Sequence, residues 1–225
     1  MNPLTIAVIT AGTSDPSSTK LLADRIAQKT VDVLRTDDRQ VSVTVIDLAP
    51  IAVQIAQSLV RGFPDQTVQN AIDRLAAADA IIASTPVYKA AASGLFKSFV
   101  DLIDNDLLVA KPVILAATGG TARHAMVPDD QLRPLFAFLR AIPVPTSLYA
   151  APEDWGDPDL TKRITRAANE LAVLIRSGAP DQIADGNWDG YQHQFAGNAT
   201  RADHTADDLD FTTDLMRLAA GGSSR

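Results

Sequence analysis

Short apolar runs alternate with helical patterns along this chain, and that alternation constrains the fold more than any other feature. Strand-like runs recur at Leu4–Thr10, Val41–Asp47, Ala80–Ser84, Pro112–Thr118 and Pro145–Tyr149. Three of them have the continuous Val, Ile, Leu and Ala character of strands covered on both faces. Helical patterns at Ser17–Leu34, Gln66–Ala78, Gly94–Ile103, Asp129–Arg140 and Pro158–Arg176 lie between and after them. Alternation of this kind over five strands predicts a parallel sheet with helices on both sides. Right-handed crossovers leave few topologies. The expected strand order is 2-1-3-4-5, with a ligand crevice between the carboxyl ends of strands one and three.

Two boundaries have local causes. Pro158-Asp159 opens the last helix of the core, and Gly178 after Arg176-Ser177 serves as its carboxyl cap. The expected division is a domain over residues 1–178 and an extension over 179–225. From Ala179 to about Thr205 the composition turns to Gly, Asp, Asn, Gln and His, which reads as a long irregular arm. Ala206–Leu218 reads as a short amphipathic helix carrying Leu209, Leu215, Met216 and Leu218.

Composition removes several classes of function. The 225 residues are 46% hydrophobic, enough for a substantial core, and include no cysteine, so neither a disulfide framework nor a thiolate site is expected. Twenty Lys and Arg against 27 Asp and Glu give a formal charge of −7, with no basic cluster to attract nucleic acid or an anionic membrane. Met1-Asn2-Pro3-Leu4 lacks the positive start of a signal peptide, and no apolar stretch is long enough to span a bilayer. A soluble, cytoplasmic protein is expected.

Three loops at carboxyl ends of strands carry the chemistry. After the first strand, Gly12-Thr13-Ser14-Asp15-Pro16-Ser17-Ser18-Thr19 leads into a helix. Free N–H groups and the helix dipole favour a phosphate there, and the hydroxyls add donors. One cap needs one of these residues, so the surplus of hydroxyls points to an anion. The loop lacks the Gly-Lys-Ser/Thr of a P-loop and the glycines of a dinucleotide fingerprint. After the third strand comes Ser84-Thr85-Pro86-Val87-Tyr88-Lys89-Ala90-Ala91-Ala92-Ser93-Gly94, where a proline and an aromatic stand at the strand-to-helix passage. After the fourth comes Thr118-Gly119-Gly120-Thr121, where two glycines would allow close approach to a flat ligand and supply positive φ.

Thr85-Pro86-Val87-Tyr88-Lys89-Ala90-Ala91, Ser93-Gly94, Ala117-Thr118-Gly119-Gly120-Thr121 and His124 together resemble the NAD(P)H-dependent FMN reductases. The likeness is to the branch that supplies reduced flavin to alkanesulfonate and related two-component monooxygenases, and it covers about residues 4 to 150. It implies a flavodoxin-like α/β three-layer sandwich, FMN as the flavin, and NADPH or NADH as the hydride donor. Carried onto this chain, Ser14, Ser17, Ser18 and Thr19 match the phosphate loop. Pro86, Val87 and Tyr88 match the segment along the isoalloxazine, and Thr118, Gly119 and Gly120 match the loop at its pyrimidine side. Two positions depart from the pattern: Ser14-Asp15-Pro16 stands where an arginine often follows, and Ala92 stands where an aromatic or histidine can occur.

Hydride transfer between two cofactors needs positioning rather than an acid, base or nucleophile from the protein, and no catalytic side chain is assigned. His124 could cap the following helix or meet a ligand. Asp101 and Asp104 read as a solvated helix face or cap, and Lys89 and Arg123 as surface residues. No metal site is expected, since His193 and His204 have no ligand spacing. An FMN-dependent quinone or azo reductase and a non-enzymatic electron-transfer flavoprotein are the competing readings. Trp155, Trp188, Tyr191 and Phe195, few among 5% aromatics, suit packing on another surface. Trp188, Tyr191, Phe195 and Phe211 make the arm a clasp on a second subunit of a homodimer or tetramer, with an arm folded back as a lid over the flavin as the competing view.

Overall fold

The structure is a computed structural model that describes residues 3–35 and 40–187. Its elements run β1 (Leu4–Thr10), α1 (Ser18–Leu34), β2 (Val41–Asp47), α2 (Ala52–Arg61), α3 (Gln66–Ala76) and β3 (Ala80–Tyr88). They continue with β4 (Ala91–Ala92), α4 (Gly94–Val100), β5 (Pro112–Thr118), α5 (Arg133–Phe138), β6 (Ile142–Pro143), β7 (Leu148–Ala150), α6 (Pro158–Ser177) and α7 (Ala179–Asn187). The parallel sheet has the order β2-β1-β3-β5, and both β6 and β7 pair along the outer edge of β5. This is the 2-1-3-4-5 order of a flavodoxin-like fold, with the fifth position split in two.

Strand residues divide by parity between two cores. Ala7, Ile9, Ile81, Ala83, Val113 and Leu115 face α2 to α5, where Ile55, Ile72, Phe96, Phe99 and Phe136 are buried. Ile6, Val8, Ala80, Ile82 and Ile114 face α1 and α6, meeting Leu22, Ile26, Leu160, Ile164 and Leu171. With both faces covered, the central strands carry no polar side chain between Thr5 at the start of β1 and their carboxyl ends. Asp157 caps α6, Pro158 sits in its first turn, and Gly178 ends it at φ 63°, as the sequence predicts.

Several elements differ from expectation. β3 runs on to Tyr88 rather than stopping at Ser84, because Val87 and Tyr88 pair antiparallel with Ala92 and Ala91. The run Pro145–Tyr149 is a strand only from Leu148, since Pro145 lies in the gap between β6 and β7. Helix α2 was not expected; it buries Ile55 and Ser58 while Val53 and Val60 face solvent. The helix expected over Asp129–Arg140 is a π-helical turn at Pro128–Leu132 running into α5. α7 replaces the irregular chain expected from Ala179, and it begins again at once because Gly178 in the left-handed region reverses direction. The helix at Ala206–Leu218 and the aromatics Trp188, Tyr191, Phe195 and Phe211 lie outside the described residues. No helix among the described residues is long and apolar enough to cross a membrane.

Polar side chains gather where the strands end. Thr19 Oγ1 lies 2.7 Å from Thr118 Oγ1 in a buried pair, and Ser84 Oγ donates to Thr19 O at 3.1 Å. The first turn of α1 is thereby fastened to both β3 and β5. Thr19→Val keeps the shape but leaves the Thr118 hydroxyl buried without this partner, and is expected to cost about 1–3 kcal/mol in denaturant unfolding. Thr19→Val with Thr118→Val is expected to cost less than the sum of the two single changes.

Candidate cofactor-binding crevice

The first loop reaches α1 through Gly12 and a cis Asp15–Pro16 bond. A Cβ at Gly12 would stand 1.9 Å from Ser17 Oγ, so glycine is what lets the loop fold tightly over the helix start. Ser17 is the N-cap, its Oγ accepting the Lys20 amide at 3.2 Å. The amides of Ser18 and Thr19 open the helix without an intrahelical acceptor. No acidic residue occupies the first turn, so the positive end of the dipole is not neutralised by its own helix. Ser14 and Ser18 are exposed and Ser17 half-buried, while Thr19 is 2% exposed and turned to Thr118. Three of the four expected phosphate-loop hydroxyls are therefore at least partly open to solvent, that of Ser17 while also capping α1. The fourth is spent inside.

The second element is a hairpin built on the end of β3. Thr85 Oγ1 accepts the Ser93 amide at 3.1 Å, and Ser93 Oγ in turn caps α4 by accepting the Phe96 amide at 3.2 Å. Pro86 is buried, Val87 half-buried and Tyr88 49% exposed. Between Tyr88 and Ala91 the chain turns through Lys89 at φ 51° and Ala90 at φ 65°. Two central residues at positive φ define a type I′ turn, which favours Asn-Gly. Here neither is glycine, and left-handed backbone costs about 1–2 kcal/mol for each such residue. The tip is nevertheless tied across the crevice, with Tyr88 Oη 3.1 Å from Thr13 Oγ1.

The third element is the turn after β5. Thr118 is buried, Gly119 half-buried and Gly120 exposed. The expectation of positive φ at this pair is corrected: among the described residues the glycines at positive φ are Gly62 and Gly178. Gly119 is needed for close approach instead, since a Cβ there would lie 2.2 Å from Tyr149 Oη. That phenol donates to Thr121 O at 2.6 Å and holds the loop beside β7. Burial raises the pKa of Tyr149 above its ordinary value, and Glu153 and Asp154 push the same way, so it stays a donor at neutral pH.

The fold thus brings Ser14, Ser17, Ser18, Pro86, Val87, Tyr88, Gly119 and Gly120 to one sheet edge, with Thr19 and Thr118 beneath them. Sequence reasoning did not find Thr13, Ser84, Thr85 or Tyr149. A hydroxyl at each strand's carboxyl end was the available signal for Ser84 and Thr85. Nothing local links Thr13 to Tyr88. His124 lies half-buried in a tight turn over Ala122–His124, and Lys89 and Arg123 are exposed. Asp101 pairs with Lys97, and Asp104 Oδ1 accepts the Asp106 amide at 2.9 Å, both structural uses. Trp155 belongs to the α1–α6 side, with the Arg25 guanidinium 5.3 Å from its ring centroid.

These donors suit a phosphorylated flat ligand. Amides without an intrahelical acceptor, exposed hydroxyls and a first turn free of acidic residues are the groups that could hold a phosphate. Thr10 Oγ1, at the end of β1, is also buried without a partner among the described residues. Pro86, Val87 and Tyr88 form the apolar part of this edge; the Gly119 amide is spent on Ala150 O at 3.2 Å, and Gly120 has open space around it.

Known proteins share this arrangement. The profile of the NADPH-dependent FMN reductase family matches residues 4–156, a span holding all three loops. FMN reductase (NADPH) of Pseudomonas aeruginosa is 37% identical over 179 residues, covering 77% of this chain and 94% of that protein. The NADH-dependent FMN reductase SfnE of Pseudomonas putida is 37% identical over 177 residues, covering 79% of this chain and 89% of its own length. Among solved structures, an oxidoreductase from Corynebacterium diphtheriae superposes with a TM-score of 0.76 at 40% identity, covering 79% of this chain and 99% of that one. Sequence, topology and loop chemistry agree, and the chain belongs to the NADPH-dependent FMN reductase family.

Proposed function

We propose that this chain reduces FMN with NADPH or NADH. The observation that carries the reading is the convergence of the three loops on the topological switch between β1 and β3. Ser14, Ser17 and Ser18 with the first amides of α1 hold the phosphate. Thr19 contributes its backbone and anchors the turn. Pro86, Val87 and Tyr88 line the isoalloxazine, and Thr118, Gly119 and Gly120 border its pyrimidine side. Bound FMN supplies the ring that accepts hydride from the nicotinamide. The protein's residues bind, orient and exclude water, and the Gly120 amide, next to a Gly119 amide already spent on Ala150 O, favours negative charge along that edge. No side chain of this chain has to move a proton for that work.

The reading extends to the protein's surroundings. Reduced FMN needs an acceptor, and a partner flavin-dependent monooxygenase in the cytoplasm is the acceptor this reading assigns. Assembly with a second copy is supported by the outer face of α2, where Val53 is 65% and Val60 90% exposed. Sedimentation of the full chain is expected to show a dimer or tetramer, and a monomer at all concentrations would remove that part.

Following absorbance at the nicotinamide band tests the central claim. Oxidation is expected to require added FMN, and turnover with a quinone but not with flavin would overturn it. Ser17→Ala with Ser18→Ala is expected to raise the FMN Kd by about tenfold or more, since each hydroxyl serves a charged group. Stability to thermal unfolding is expected to fall as well, by the roughly 0.5–2 kcal/mol that loss of the Ser17 N-cap costs, whereas Ser18→Ala alone is expected to weaken FMN binding with little change in stability.

A further inference from the structure

We propose that Gln131 is a positioning residue for Tyr88, holding the strained turn that carries the phenol over the crevice. The proposal rests on reading that crevice as the flavin site. The turn at Lys89 and Ala90 has left-handed backbone at both positions without glycine or asparagine. Two residue pairs, Val87 with Ala92 and Tyr88 with Ala91, are all the ladder it has. A hairpin so short, with a turn its residues disfavour, needs an outside hold.

Gln131 provides it from both sides of the turn. Its Nε2 donates to Ala90 O at 3.1 Å, and its Oε1 accepts the Ala92 amide at 2.8 Å. Only a side-chain amide of this length offers a donor and an acceptor on one flat group: glutamate lacks the donor and asparagine is one carbon short. The clamp stands on a fixed base. Gln131 belongs to the π-helical turn at Pro128–Leu132, and a π turn re-aims the residues it contains. Arg133 Nη2 bonds Asp129 Oδ1 at 2.7 Å, and Arg133 reaches Val144 O at 3.0 Å and Pro145 O at 3.2 Å. Ser147 Oγ donates to Asp129 Oδ2 at 2.7 Å. The far edge of the sheet thus fixes the π turn, the π turn fixes Gln131, and Gln131 fixes the tip from which Tyr88 meets Thr13.

The test uses the full chain, with FMN titrated by its fluorescence and amide exchange followed in the ligand-free protein. Gln131→Ala is expected to speed exchange at the Ala92 amide and to weaken FMN binding about tenfold, the worth of two neutral hydrogen bonds. Lys89→Asn with Ala90→Gly gives the turn its preferred residues. In that background Gln131→Ala is expected to change FMN affinity by less than about twofold, as uncoupled sites do. Unchanged affinity in Gln131→Ala, or a loss that persists undiminished in the Asn-Gly background, would overturn the proposal. Wild-type protein that binds no FMN would overturn the flavin reading instead, and the Ala92 exchange rate would then decide on the clamp alone.

Discussion

A buried pair of threonine hydroxyls sets the relation between helix and sheet on which this crevice depends. Thr19 and Thr118 meet at 2.7 Å beneath the first turn of α1, and Ser84 holds the carbonyl of Thr19 from the next strand. A helix start is useful to an anion only if its amides point to a fixed place. Apolar contacts between α1 and the sheet set distance but are indifferent to small slides along the helix axis. Hydrogen bonds between short hydroxyl side chains are not indifferent, because they fail within a few tenths of an ångström. The polar layer gives the apolar layer its register.

The three loops divide the remaining work by what each backbone allows. The loop before α1 offers unpaired amides. The hairpin after β3 spends its Ala92 amide on Gln131 and presents side chains instead. The turn after β5 is kept bare at Gly119, where the Tyr149 hydroxyl occupies the space a side chain would fill. Strain is confined to the second of these, at Lys89 and Ala90, the part of the crevice with least packing behind it. Left-handed residues outside glycine persist where surrounding contacts over-determine them, and the Thr13 and Gln131 bonds supply such contacts.

Much of this was legible in the sequence, for definite reasons. Strands buried on both faces have no alternation to confuse with a helix, so the parallel core from Leu4 to Thr118 could be read from its apolar runs and its order from chirality rules. The caps Ser17 and Gly178 follow from residue chemistry within one turn of chain. Helix α2 went unread although Ile55 anchors its inner side; Val53 and Val60 stay exposed while Ser58 is buried, so its apolar stripe does not match its buried face. The inward turn of Thr19 could not be seen either: a hydroxyl at a helix start serves equally as cap, ligand or internal partner, and only the position of Thr118, far along the chain, decides. The same holds for Gly119, whose need arises from Tyr149 rather than from its own φ. Long-range pairs between polar side chains leave no periodic trace.

The divided fifth position of the sheet carries a consequence for how copies of this chain can meet. A continuous last strand would present a row of open amides and carbonyls to any other extended chain. Here Pro143 and Pro145 remove two of those donors, Arg133 takes the carbonyls of Val144 and Pro145, and the Glu170 carboxylate accepts the Thr146 amide at 2.7 Å. Along that border the backbone's capacity to recruit a neighbouring strand is already used within the molecule. Growth of the sheet from subunit to subunit is closed off there, which leaves fibrous stacking from that side without a template and directs any meeting of copies to the β2 edge or the helical faces.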